Sequence, residues 1–166
     1  MSHTEHRESA SDASVRCVVI TCSDTRTPET DASGDLIAEL LKRDGHVVVR
    51  RHLVRENPGE VAAAASKACD FAEAVILTGG TGLSARDGTV EAVEPLLDHT
   101  LPGFGELFRM LSYNEIGPAA MLSRALAGVK GKTILFALPG SKNAVGLAME
   151  KLILPELRHI VRELSR

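Results

Sequence analysis

Residues 78–89 read Thr-Gly-Gly-Thr-Gly-Leu-Ser-Ala-Arg-Asp-Gly-Thr. The glycines at 79, 80 and 82 let a backbone approach a ligand closely and turn its N–H groups inward. Such a nest takes anionic oxygens, phosphate above all. The same residues also suit a plain tight turn between a strand and a helix. No Lys-Ser/Thr pair follows, and the spacing is not G-x-G-x-x-G, so neither common nucleotide-loop pattern applies. Asp87 comes after the glycines and before a helix expected from Thr89. A carboxylate there either caps the helix or holds Mg²⁺ beside a phosphate, and the two roles are compatible. Arg86 is a solvated charge or a phosphate clamp.

Three further segments carry candidate groups. In Arg55-Glu56-Asn57, Glu56 is a second carboxylate for the same site or an exposed loop acid. The stretch from Cys22-Ser23-Asp24-Thr25 to Asp31 and Ser33 offers short polar side chains that bond ligands; Asp31 or Ser33 also suits a helix N-cap. In Pro139-Gly140-Ser141-Lys142-Asn143, Gly140 permits an unusual turn, Ser141 or Asn143 can cap the next helix, and that N-terminus favours an anion. Within 102–113, Phe104, Phe108 and Leu111 fall at i, i+4, i+7, a spacing for core or subunit contact. Glu106 and Arg109 are spaced to pair, and Arg109 and Ser112 to face the site together.

These loops need strands to carry them. Apolar, β-branched runs predict strands at 15–21, 46–54, 74–78 and 132–138. Helices are expected over 33–44, where Leu36, Ile37, Leu40 and Leu41 share a face and Gly45 stops it, and from an Asn57-Pro58 start to about Cys69. Further helices are expected over 89–97, 104–114, 121–127 and 143–164, the last kinked or interrupted at Pro155. Strands separated by helices need crossovers, which predicts an α/β fold: a mostly parallel sheet between two helical layers. In such a fold, ligands bind beyond the carboxyl ends of the strands, where the four loops lie.

Composition sets the outer bounds. The 166 residues make one domain, expected over 15–166, and 44% are hydrophobic, enough for a sizeable core. With 19 basic against 22 acidic residues the net charge is -3, which argues against nucleic acid as a partner. Aromatics are 3% with no Trp, too few for a base-stacking platform. Cys17, Cys22 and Cys69 have no C-x-x-C spacing, so no disulfide framework or zinc knuckle is indicated. Residues 1–14 read as a disordered arm; they lack the apolar core of a secretory signal, and their His3-x-x-His6 pair has no rigid helix to present it to a metal. No apolar stretch approaches a membrane span, and the expected compartment is the cytoplasm.

Four motifs in this order resemble the MoaB/MogA family of molybdenum-cofactor biosynthesis proteins: T-G-G-T-G at 78–82, Arg86-Asp87-x-Thr89, P-G-F-G-E-x-F-R-x-L-S at 102–112, and P-G-S at 139–141. The fold is also similar to a domain of gephyrin, MoeA and CinA proteins. The S-Y-N-E-I-G text after 112 looks most like the MoaB branch. The resemblance implies a molybdopterin-binding fold and, in active members, adenylylation of molybdopterin by ATP with Mg²⁺. It implies a phosphate and pterin cradle at Thr78, Gly79, Gly80, Thr81 and Gly82, and Asp87 as the carboxylate for Mg-ATP. Ser112, Pro139, Gly140 and Ser141 would hold the molybdopterin end, Arg109 would meet phosphate or brace Glu106, and Ser23 and Asp24 would add polar contacts. Glu56, the second catalytic carboxylate, stands where the MogA branch commonly carries Asp. The family also implies homotrimers or homohexamers and other cofactor-biosynthesis proteins as partners. It includes members of the MoaB type that bind or carry molybdopterin without turnover.

Overall fold

Four strands of one sheet end side by side, and this alignment creates the site. The computed structural model describes residues 13–166. His3 and His6 lie outside them, as does the expected arm except for its last two residues, of which Ala13 accepts a hydrogen bond from Arg158 Nε at 3.0 Å. The parallel strands are β1 (Arg16–Cys22), β2 (Val47–Val54), β3 (Ala74–Thr78) and β6 (Thr133–Leu138). Thr21 lies opposite Leu53 and Thr78, and Thr78 lies opposite Leu138. The loops that follow therefore leave the sheet at one level. Two more strands, β4 (His99–Thr100) and β5 (Leu126–Lys130), complete the order β2-β1-β3-β6-β5-β4. Only β5 runs against the others, pairing antiparallel with β6 and β4. The sheet is thus mostly parallel, as expected.

The alternation of side chains along the strands divides the core in two. Val19, Ile76, Ile134 and Phe136 face one layer; Val18, Ile20, Val75, Leu77 and Leu135 face the other. On the first face sit α1 (Ala32–Arg43), α4 (Pro102–Ile116), α5 (Lys142–Ala148) and α6 (Leu154–Ser165). On the second sit α2 (Pro58–Ala68) and α3 (Thr89–Val93). Every residue of β3 and β6 is buried, as central parallel strands covered on both faces require. Phe104 and Phe108 belong to this core, with Phe104 edge-on to Phe136 at 5.1 Å between ring centroids.

The local signals act as their chemistry dictates. Asp31 caps α1 by accepting from Gly34 N–H at 3.0 Å, Asn57 caps α2, and Pro58 fills its first turn. Gly45 follows α1 with φ 85°. One expectation needs correction. The helix expected over 121–127 does not form: a 3₁₀ turn spans Gly117–Leu122, and Leu126–Lys130 is β5. The apolar spacing was compatible with either state, and hairpin pairing with β6 across Gly131 (φ 58°) decides it. The closing helix is broken as expected near Pro155, by a π-helical stretch over Met149–Ile153. Proline clashes with the carbonyl four residues back, here that of Lys151, and the wider π turn relieves that clash.

Candidate active site

A cavity of about 480 Å³ opens where β1, β3 and β6 end. Its floor is the glycine loop. Gly79 and Gly80 have φ of 97° and 72°, a region open to glycine. The loop is fixed on both sides. Gly79 N–H donates to Leu138 O at 2.9 Å, and Thr78 Oγ1 donates to Pro139 O at 2.8 Å, tying β3 to the β6 loop. Thr89 Oγ1 donates to Gly79 O at 2.7 Å, tying the loop to α3. Thr81, Gly82, Pro139 and Gly140 also line the cavity.

The carboxylates come from separate elements. Asp87 lines the cavity, and its Oδ2 accepts Ser84 N–H at 2.9 Å. It is not the cap of α3, whose N-cap is Gly88 with no side-chain bond. Glu56, from the β2 loop, lines the same cavity, and its N–H donates to Asp24 Oδ1 at 3.0 Å. Burial pushes the Glu56 carboxyl above its ordinary range, and the charges of Asp24 and Asp87 push the same way against Arg86. Two carboxylates that sense each other across a polar cavity can hold a hard divalent cation together with the oxygens of a phosphorylated ligand. Among the described residues, no three His, Cys, Asp or Glu side chains gather into a cage.

The opposite wall is a hydrogen-bonded frame. Asp31 Oδ2 accepts from Thr21 Oγ1 at 2.8 Å and from Arg51 Nη2 at 3.2 Å. Ser33 Oγ donates to Gly140 O at 2.7 Å. Ser23 Oγ accepts the N–H groups of Thr25 and Arg26, and Arg26 reaches the cavity as the basic residue among those lining it. Cys22 also lines the cavity, but its thiol is pushed up to about 11, chiefly by burial, and so stays protonated. Ser141 is adjacent, capping α5 by accepting Ala144 N–H at 3.2 Å.

Four expected site residues do not line the cavity: Asp24 and Ser141 flank it, and Arg109 and Ser112 lie elsewhere. Arg109 Nη1 donates to the carbonyls of Ser123 and Ala125 at 3.3 and 3.0 Å, and the side chain borders a separate hollow of about 220 Å³. Ser112 is buried in α4 and does not line the cavity. Their spacing puts them near one face of a helix, but that face meets the 123–125 segment and the core. Cys22, Asp31 and Ser33, from the stretch expected to bond ligands, line the cavity, and so do Thr21, Arg26, Leu122 and Ser123, which no motif marks. Asp31 and Ser33 showed as caps, whereas Leu122 and Ser123 carry no local signal of this role.

The profile of a family described as a probable molybdopterin binding domain matches residues 18–159, a span that includes all the cavity-lining loops. The chain belongs to this family. It is 50% identical over 169 residues to molybdenum cofactor biosynthesis protein B of Bacillus subtilis (strain 168), covering 100% of this chain and 99% of that one. A crystal structure of a molybdenum cofactor biosynthesis protein B superposes with a TM-score of 0.90 at 51% identity, over 93% of this chain and 98% of that one. The tungsten cofactor synthesizing protein MoaB from Pyrococcus furiosus gives 0.83 at 39% identity, over 92% and 98%. The molybdopterin-binding fold is therefore shared along nearly the whole described chain, including the strand ends that form the cavity.

Proposed function

We propose that this chain acts in molybdenum cofactor biosynthesis, binding molybdopterin and adenylylating it with Mg-ATP. One observation carries the reading: the glycine loop and the carboxylates of Asp87 and Glu56 border a single cavity at the strand ends. In the proposed step, an oxygen of molybdopterin's terminal phosphate attacks the α-phosphorus of ATP. The bond to the departing pyrophosphate breaks and a phosphate–phosphate linkage forms. The nucleophile is already an anion, so no general base is needed, and positioning with charge screening supplies the rate. Gly79, Gly80, Thr81 and Gly82 cradle phosphate oxygens; Asp87, with Glu56, holds the metal edge; Pro139, Gly140 and Ser141 border the molybdopterin end. Mg²⁺ bound there would screen the repulsion between the two phosphates. Its habit of taking one or two carboxylates plus substrate phosphates suits this donor set.

The experiment is direct. Purified protein with molybdopterin and Mg-ATP should yield adenylyl-molybdopterin and pyrophosphate. Molybdopterin binding with no product would assign instead a binding or carrier protein of the same family. We also propose self-assembly as trimers or hexamers in the cytoplasm. Leu107, Met110, Tyr113, Ile116, Met121 and Leu122 lie exposed on and after α4, apolar side chains that a subunit contact would cover. A light-scattering mass near one chain would refute this. Among the described residues, no helix is long and apolar enough to cross a membrane.

A further inference from the structure

The segment Gly82–Asp87 carries the key carboxylate, yet Leu83, Ser84, Ala85 and Arg86 are exposed. Its own closure is local: two bonds between Ser84 and Asp87, and Arg86 N–H donating to Ser84 Oγ at 3.3 Å. What anchors it comes from 37 to 42 residues away. Arg124 N–H donates to Thr81 O at 3.0 Å, Arg124 Nε to Gly82 O at 2.9 Å, and Arg124 Nη2 to Asp87 O at 3.3 Å. Its Nη1 pairs with Glu91 on α3. One residue thus grips both ends of the loop and the helix that follows it.

We propose that Arg124 is a positioning residue for the Asp87 loop, setting where the carboxylate and the neighbouring amides point. The proposal rests on the nucleotide reading above for its consequence, not for its geometry. In a trans peptide, C=O and N–H point opposite ways. Drawing the Thr81, Gly82 and Asp87 carbonyls toward Arg124 turns the N–H groups of Gly82, Leu83 and Gly88 away from it. The guanidinium suits this work because its rigid fork serves three acceptors at once, which a lysine ammonium at the same place does not. The Glu91 pair is half exposed and worth little as an ion pair alone; its use is to hold the fork in register.

Hydrogen exchange at the Ser84 and Asp87 amides tests this without any activity. In Arg124→Gln these amides should exchange about tenfold faster, while those of β3 keep their wild-type protection. Arg124→Lys should fold normally but restore little of the loop protection. Glu91→Gln, which keeps both carbonyl bonds, should stay close to wild type. Mg-ATP affinity, titrated without molybdopterin, should fall about tenfold in Arg124→Gln. Loop amides that exchange equally fast in wild type and Arg124→Gln overturn the proposal, as does a Glu91→Gln variant as loose as Arg124→Gln. If wild-type protein binds no Mg-ATP, the nucleotide reading fails and the exchange result alone decides Arg124.

Discussion

Asp87 closes its own loop: Oδ2 accepts Ser84 N–H at 2.9 Å, and Asp87 N–H returns a bond to Ser84 O at 3.0 Å. Its own loop therefore holds the carboxylate in place beside the glycine nest. This separates its structural from its chemical contribution. Asp87→Asn keeps an oxygen for Ser84 N–H and removes only the charge. Adenylyl-molybdopterin formation should fall at least a hundredfold, roughly the effect of losing a charge aimed at the reacting phosphates. Molybdopterin affinity and thermal stability should stay at wild-type values. Turnover at the wild-type rate would remove Asp87 from the proposed metal site.

Gly79 has a different dependence on its surroundings. A Cβ there would lie 2.3 Å from the Cys22 carbonyl oxygen, on a backbone with φ 97°. Gly79→Ala should cost about 3 kcal/mol, part from the left-handed region and part from overpacking. Thermal unfolding should drop by about 6–12 °C. Gly131→Ala is the control: its φ is 58°, but nothing lies within 4 Å, so only the conformational cost of about 1 kcal/mol remains. Equal losses at the two positions would show that the Cys22 contact is relaxed in solution.

The contrast between these residues and Arg109 shows what the sequence makes legible. The glycine loop and Asp87 are contiguous, so their chemistry reads from one stretch of text. The central strands read well because burial on both faces demands unbroken apolar runs. Leu126–Lys130 (Leu-Ala-Gly-Val-Lys) has little strand preference of its own and becomes β5 only by pairing with β6. Arg109 and Ser112 were grouped by helical spacing, which gives relative but not absolute facing. Asp31 reads as a cap or a ligand contact, but its bonds to Thr21 and Arg51 are not legible because those partners lie 10 and 20 residues away. The family resemblance supplied the order of the motifs, while the cavity itself depends on strand register that no single motif encodes.

Asp31 should therefore be more sensitive than a helix cap. It is 5% exposed, caps α1, and takes bonds from Thr21 and Arg51 at the cavity wall. Asp31→Ala removes the cap, worth about 1 kcal/mol, leaves the buried Thr21 hydroxyl without its acceptor and leaves Arg51 paired with Asp35 alone. Urea unfolding should show a loss of about 2–4 kcal/mol. Asp31→Asn keeps the cap and should lose less than half of that. Identical losses would mean that the charge, not the cap, is what α1 needs.

The amino end of the sheet carries a pH dependence of its own. His46 has a fully buried side chain, with Nδ1 accepting Val15 N–H at 3.1 Å and Nε2 bonded to Asp44 Oδ2 at 3.0 Å. Burial first, and then the Arg158 charge, hold its pKa below the ordinary 6.5, against the pull of Asp44. Protonation would also abolish the acceptor for Val15. The unfolded chain thus takes up its proton at a higher pH than the native one. The stabilisation is fully present above about 6.5 and is lost as pH falls from there toward the lowered native value, with a slope of at most ~1.4 kcal/mol per pH unit. His52 is shifted the same way by burial, Arg50 and Lys67, so wild type alone does not isolate the effect. Urea midpoints should be compared between pH 8 and pH 5 for wild type and His46→Gln. The wild-type curve should fall more steeply below about 6.5, by the share that belongs to His46. Parallel curves would mean that His46 takes up its proton in the native state as readily as in the unfolded chain, with the Asp44–Arg158 cluster absorbing the charge.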